Sequence, residues 1–149
     1  MFTDDRKQAR AVFFRAWQHH RQRLPLEGIE HIIVAVALRH PEYHALLENP
    51  DTHEDRDYPP ELGAANPFMH LGLHVAIEEQ LSIDRPPGLR ACYQALLNKF
   101  GDEHAAQHCV LDCLGETLWR AERARTPPND ADYLECLRRL AQIEASVHK

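Results

Sequence analysis

Residues 66–80 read NPFMHLGLHVAIEEQ, and this segment is the most informative part of the sequence for the fold. Asn66 is a typical helix cap and Pro67 a typical first helical residue, so a helix is predicted from Pro67 to about Ser82. At about 100° per residue, its apolar side chains spread around the whole circumference instead of forming one stripe. A helix that is apolar on all sides is a buried helix. The stretch therefore predicts a helix inside a protein core.

Three polar side chains lie on one line along this predicted helix. His70, His74 and Glu78 are spaced four residues apart, so successive members advance by only about 40° around the axis. A buried carboxylate without a partner costs several kcal/mol of folding free energy. The line of side chains therefore needs a compensating group, and a bound cation would serve all three.

A second predicted helix, which Asp102 caps, repeats the arrangement. His104, His108 and Asp112 follow the same spacing along it. If the two lines face each other, four imidazoles and up to two carboxylates meet. Imidazole together with carboxylate suits iron, zinc or manganese, and helical bundles build such sites in their cores. The predicted ligands of a transition metal ion are His70, His74, Glu78, His104, His108 and Asp112.

A third histidine pair, His40 and His44, also has four-residue spacing. Pro41 disfavours helical geometry at His40, so the two rings do not share a helix face. We interpret this pair as part of a helix junction first and as a source of ligands second. In the segment HPEYH the acid Glu42 is one place too late for the metalloprotease pattern HExxH, and His70 is followed by Leu-Gly. Metalloprotease chemistry is therefore disfavoured.

The predicted helix over residues 25–39 is also apolar on all sides and also contains polar residues. Glu27, Glu30 and His31 lie within it. They are candidates for further ligands, or for hydrogen-bond acceptors that orient the metal-binding histidines.

The remaining helix-start and helix-end signals predict an all-α fold. Further helices are predicted over residues 3–23, 41–48 and 86–100 and after Asn129. Residues 49–65 contain three prolines and no sustained period, so they predict a long surface loop, long enough to be a lid. No segment alternates like a strand. We predict a single domain, residues 1–149, with a helical bundle of about four long helices and one or two shorter ones.

Composition and charge exclude several classes of partner. The net charge is −6, with acids and bases interleaved, so nucleic acid is not an expected ligand. The longest apolar run, residues 32–38, is far short of the roughly 20 residues of a membrane helix. The polar start carries no secretory signal. A cytoplasmic protein without a membrane segment is expected.

The four cysteines are expected to be reduced. Cys109 and Cys113 are four residues apart on one predicted helix, which places their Cβ atoms about 5–6 Å apart and beyond the roughly 3.8 Å of a disulfide. Small buried apolar groups are the expected role for these two residues and for Cys92 and Cys136.

Several of these segments resemble a known family. HPEYH (40–44), NPFMHLGLHVAIEEQ (66–80) and GDEHAAQH with the following LDCLGETLW (101–119) are similar to signature segments of the bacterial domain-of-unknown-function 1841 family. The resemblance extends from Arg6 to Tyr133, and residues 66–80 are its most specific part. It implies a small helical bacterial protein and no particular activity or ligand.

Two classes of function follow from the residues. The first is a metal-binding helical-bundle protein or metal-dependent enzyme, in which Glu78 or Asp112 completes the metal shell or acts as a base on bound water. The alternative is a non-catalytic interaction or adaptor module with a buried His/Glu hydrogen-bond network and no metal. Metal storage or sensing without turnover is a third reading. The sequence identifies no catalytic residue, substrate or oligomeric state, and a homo-oligomer remains open.

Overall fold

A computed structural model describes residues 2–56, 58 and 66–147, and the side chains of residues 7–56, 58 and 66–142. The described residues form helices and no strand, which confirms the all-α prediction. Within these residues, no helix is both long and apolar enough to cross a membrane. The elements are α1 (Phe2–Arg21), α2 (Ile29–Leu38), a 3-10 turn (Pro41–Tyr43), α3 (His44–Leu47), α4 (Pro50–His53), α5 (Pro67–Ile83), α6 (Leu89–Phe100), α7 (Glu103–Ala124) and α8 (Asp130–Val147).

The helix caps form where the sequence predicts them. The Asn66 carboxamide oxygen accepts the backbone N–H of Phe68 at 3.0 Å and that of Met69 at 3.3 Å. The Asp102 carboxylate accepts the N–H groups of His104 and Ala105. These contacts satisfy donors that a helix start otherwise leaves unpaired. Four helices, α1, α5, α7 and α8, have 17 or more residues, and their packing into one bundle remains a prediction.

The predicted loop over residues 49–65 is partly helical. Residues Pro50–His53 form α4, with Asn49 at its cap position. The reason is local, because Asn-Pro is the same start signal that opens α5. Residues 57 and 59–65 lie outside the described residues, and they make up eight of the seventeen residues of the predicted loop and lid.

The chain divides into two compact units, residues 1–75 and residues 76–149. This division does not test the prediction of a single domain. In the first unit α1 packs against α2. The apolar core of this unit takes side chains from α1, α2, α3 and the first half of α5: Ala16, Trp17, Ile33, Val34, Val36, Ala37, Leu47, Leu71 and Val75.

A buried arginine ties the segment after α4 to this unit. Arg10 is 5% exposed, and its guanidinium donates to the carbonyl oxygens of His53 at 3.0 Å and Arg56 at 2.7 Å. The same guanidinium lies 4.4 Å from the ring centroid of Phe68, within the range of a cation–π contact. One side chain of α1 therefore contacts both the segment that follows α4 and the first turn of α5.

A second polar contact joins α1 to α2. The buried Glu30 carboxylate accepts the backbone N–H of Glu27 at 3.0 Å. Its other oxygen lies 3.0 Å from His19 Nδ1 and 3.5 Å from Arg15 Nε. The hydrogen bond from Glu27 lowers the pKa of Glu30, and His19 and Arg15 lower it further against the opposing effect of burial.

The second unit contains the second half of α5 together with α6, α7 and α8, and the last three pack against one another. Its fully buried side chains include Ile77, Leu89, Leu96, Val110 and Leu137. Tyr133 on α8 donates its hydroxyl to Gln80 Oε1 at 2.8 Å. This contact joins α8 to the end of α5.

The expectation of four reduced cysteines is wrong for two of them. Cys113 on α7 and Cys136 on α8 form a disulfide, with their Cα atoms 5.7 Å apart, whereas Cys92 and Cys109 are free. The sequence argument tested only cysteines on one helix, and Cys109 and Cys113 are indeed not paired. The bridge forms because two different helices pack together.

The disulfide can be tested by counting the cysteines that react with an alkylating reagent. In denatured, unreduced protein we expect an alkylating reagent to label two cysteines, and after reduction all four. Cys136→Ser should lower the free energy of unfolding by about 3 kcal/mol, because the bridge closes a loop with a sequence separation of 23 residues. Intact mass after alkylation and urea unfolding would measure these effects. Four labelled cysteines before reduction, in protein purified without reductant, would contradict the pairing.

The hydrogen bond from Glu27 to Glu30, together with the smaller effects of His19 and Arg15, should make stability depend on pH. Because the folded pKa of Glu30 is below its ordinary value of 4.5, its stabilisation is complete above that value and is lost as the pH falls through the folded pKa. Glu30→Gln should therefore unfold at lower urea concentration than the wild type near neutral pH, and the difference should shrink in acid. Glu27→Gln, at an exposed position of the same helix start, is the control. A difference that is equal at about pH 7 and about pH 3 would refute this assignment.

Candidate metal site

Three histidines converge where α2 ends and α5 begins, and we call them the three-histidine cluster: His40, His70 and His74. Each offers one ring nitrogen, and these nitrogens lie within 4.8 Å of one another. His70 and His74 are one turn apart on α5. His40 follows α2 and precedes the 3-10 turn, with φ −129° and ψ 68°. The helix break at Pro41 therefore lets His40 meet the histidines of a different helix.

The spacing of the rings is compatible with a shared ion. The ring centroids are 4.6 Å apart for His40 and His74, 4.7 Å for His70 and His74, and 5.4 Å for His40 and His70. Imidazoles bound to one ion at about 2.1 Å place their centroids about 4.5 Å apart at right angles and about 5.2 Å apart in a tetrahedron. The observed separations lie close to these two values.

Two members of the cluster are buried and the third is partly accessible. His74 is 3% exposed and His40 is 7% exposed, whereas His70 is half-buried. An ion or a small molecule would therefore approach from the side of His70. The surrounding protein shields the other two rings from water.

A backbone hydrogen bond orients His40. Its Nδ1 lies 2.8 Å from the carbonyl oxygen of Val36, and a carbonyl can only accept, so Nδ1 carries the proton. In the neutral ring the lone pair then belongs to Nε2, the nitrogen that can bind a metal. Metal-binding histidines commonly donate their other ring N–H in this way, which fixes both the tautomer and the ring orientation.

Tyr43 lies beside the cluster. Its ring is stacked on that of His40 at 6.0 Å and lies 5.9 Å from that of His70. Burial raises the pKa of the Tyr43 phenol, and the neighbouring charge of Glu42 raises it further. The raised pKa favours the neutral phenol, which can donate a hydrogen bond.

The cluster contains two of the predicted ligands and one residue that the spacing argument set aside. His70 and His74 were predicted, and His40 was assigned to a helix junction. The junction is present, and it brings His40 to α5. His44 does lie apart, since its Nε2 donates to the Ala37 carbonyl at 2.7 Å. Helical spacing cannot reveal a contact across 30 residues, and HPEYH as a signature segment is the one available hint.

The other predicted ligands belong to the second unit. Glu78 accepts a hydrogen bond from Gln107 Nε2 at 2.6 Å. On α7 the rings of His104 and His108 have centroids 4.4 Å apart, His108 is half-buried, and His104 and Asp112 are exposed. The predicted six-residue site takes residues from both units, and it remains a prediction.

The polar residues near α2 have other roles than the one expected. The Glu30 carboxylate is bonded to the Glu27 backbone and contacts His19 on α1. The side chains of Glu27 and His31 are exposed. The observed contact to a histidine of the cluster comes instead from the backbone, at Val36.

Comparison with known proteins gives one result. No curated protein and no solved structure matches the chain. A family model described as Domain of unknown function (DUF1841) matches residues 5–139. Because that match covers nearly the whole sequence, the chain belongs to the DUF1841 family.

Proposed function

We propose that this protein binds a divalent transition metal ion through His40, His70 and His74. The observation that carries the proposal is the convergence of three imidazole nitrogens within 4.8 Å, with two of the rings buried. Neutral imidazole is the commonest metal ligand in proteins. Burial in a shielded cluster also lowers competition from water for the same nitrogens.

The ligand set narrows the choice of metal. Three imidazoles without a carboxylate favour zinc or iron over manganese, because manganese prefers oxygen ligands. Three protein ligands also leave a coordination position for water or substrate, which is typical of catalytic rather than structural zinc sites. The half-buried His70 lies on the accessible side. Hydrolysis or hydration of a small molecule is therefore the class of reaction that this site would support.

The alternative function is an interaction module in which the buried histidines belong to a hydrogen-bond network without a metal. Centroid separations of 4.6–5.4 Å also fall within the range of ordinary aromatic packing. The bond between Gln107 and Glu78 favours this alternative for the second unit, because it satisfies a predicted ligand without a metal. Metal binding is preferred for the cluster because three nitrogens approach one another, whereas one ring-to-ring hydrogen bond would bring together only two.

Zinc titration tests the proposal. Protein prepared without a histidine tag and stripped with a chelator should bind one Zn²⁺ ion at the cluster. His70→Ala should weaken this binding by more than about 100-fold. Removing only a residue that hydrogen-bonds to a metal ligand lowers metal affinity by up to about 100-fold, and removing the ligand itself should cost more. Zinc at about 100 times its dissociation constant should also raise the free energy of unfolding by about 2.7 kcal/mol. Calorimetry and urea unfolding would measure the two effects.

Two variants make this result decisive. His31→Ala removes an exposed histidine from α2 and should leave zinc binding unchanged. His70→Ala is preferred to His74→Ala because His70 is half-buried, so its loss disturbs the core less. Substoichiometric zinc in the wild type, together with a folded His70→Ala variant that binds zinc equally, would support the packing role and overturn the metal site.

A further inference from the structure

A second pair of imidazoles lies on α7, outside the three-histidine cluster. His104 and His108 are one turn apart, and their ring centroids are 4.4 Å apart with the planes tilted by 48°. Two imidazoles bound at right angles to one ion have centroids about 4.5 Å apart. We propose that His104 and His108 form a separate, solvent-accessible metal site that binds Cu²⁺ or Ni²⁺ and leaves the remaining positions exchangeable.

The backbone at this site is held rigidly. His104 is in the first turn of a helix of 22 residues. Its backbone N–H donates to Asp102 Oδ1 at 3.2 Å, and the next N–H donates to Oδ2 at 3.3 Å. Because the cap fixes the first turn, the two Cα positions are set before any ion arrives.

Carboxylates near the helix start favour a bound cation. The positive end of the helix dipole opposes a cation at this position. The carboxylates of Asp102 and Glu103 lie at the same helix start and offset the dipole for an incoming ion. Asp112 is exposed one turn beyond His108, so a further carboxylate lies along the same face of the helix.

The nearby thiol lies in another direction from the helix axis. Cys109 directly follows His108 in sequence, so it is turned by about 100° around the axis from that imidazole. The donor set of the proposed site is therefore the two imidazoles. Nitrogen donors in tetragonal geometry suit Cu²⁺ or Ni²⁺.

Accessibility distinguishes this pair from the cluster. His104 is exposed and His108 is half-buried, so an ion can bind and leave without opening a core. Two protein ligands leave several positions for water or for a donor from another molecule. The site would thus hold its ion loosely, and its occupancy does not depend on the three-histidine cluster.

Copper titration of matched variants tests the proposal. In His70→Ala protein, where the cluster is impaired, Cu²⁺ should still bind, and its paramagnetic resonance spectrum should show coupling to two imidazole nitrogens. Adding His104→Ala should weaken that binding about 100-fold, because the chelate becomes a single ligand. His31→Ala, again at an exposed histidine, should change nothing. Circular dichroism would verify that each variant is folded.

The decisive comparison uses His104→Ala alone, and zinc bound at the cluster should keep its affinity in that variant. Equal zinc affinity with lost copper binding would establish two independent sites. Loss of both ions in folded His104→Ala protein would overturn the separate site and support the six-residue site predicted from sequence. Unchanged copper binding in His70→Ala protein that also carries His104→Ala would overturn a role for the pair.

Discussion

The first unit depends on the packing of apolar side chains of α5, because this packing also determines where the imidazoles on α5 lie. Leu71 and Val75 each follow a histidine of the cluster directly in sequence, and both are core residues. Placing them in the core fixes the rotation of α5, and that rotation carries His70 and His74 inward. The packing of two apolar side chains therefore determines where two polar rings lie. The fold supplies a matching polar group at His40.

The N-terminal turn of α5 is held as firmly as its core face. Phe68 packs against the Phe14 ring at 5.6 Å between centroids and lies under the Arg10 guanidinium. Buried arginine is costly unless it is well bonded, and here the backbone carbonyls of His53, at the end of α4, and of Arg56 accept its hydrogen bonds. The geometry of the candidate site is thus supported by packing two residues before His70.

Local sequence signals predicted the helices, whereas the same reasoning could not predict contacts between residues far apart in the sequence. Asn66 and Asp102 cap helices because their side chains reach backbone N–H groups two or three residues away, a relation that sequence shows directly. The Cys113–Cys136 bridge and the contact of His40 with α5 join residues on different elements. Spacing along one helix says nothing about such pairs, and for that reason the sequence predicted neither contact. The cytoplasmic location stays a prediction. Disulfides are uncommon in that compartment.

The tautomer of His40 separates the two readings of the cluster. Its Nδ1–H is committed to the Val36 carbonyl, so the neutral ring presents only an acceptor at Nε2, and a buried acceptor must be satisfied. A cation can meet that need for several rings at once, whereas ring-to-ring hydrogen bonding requires a neighbour of the opposite tautomer and a nearly linear N–H···N approach. The ring of His40 is tilted by 78° against that of His70 and by 53° against that of His74, so the three rings are not stacked on one another. A shared ion would account for the approach of all three nitrogens within 4.8 Å, whereas one ring-to-ring hydrogen bond would bring together only two of them.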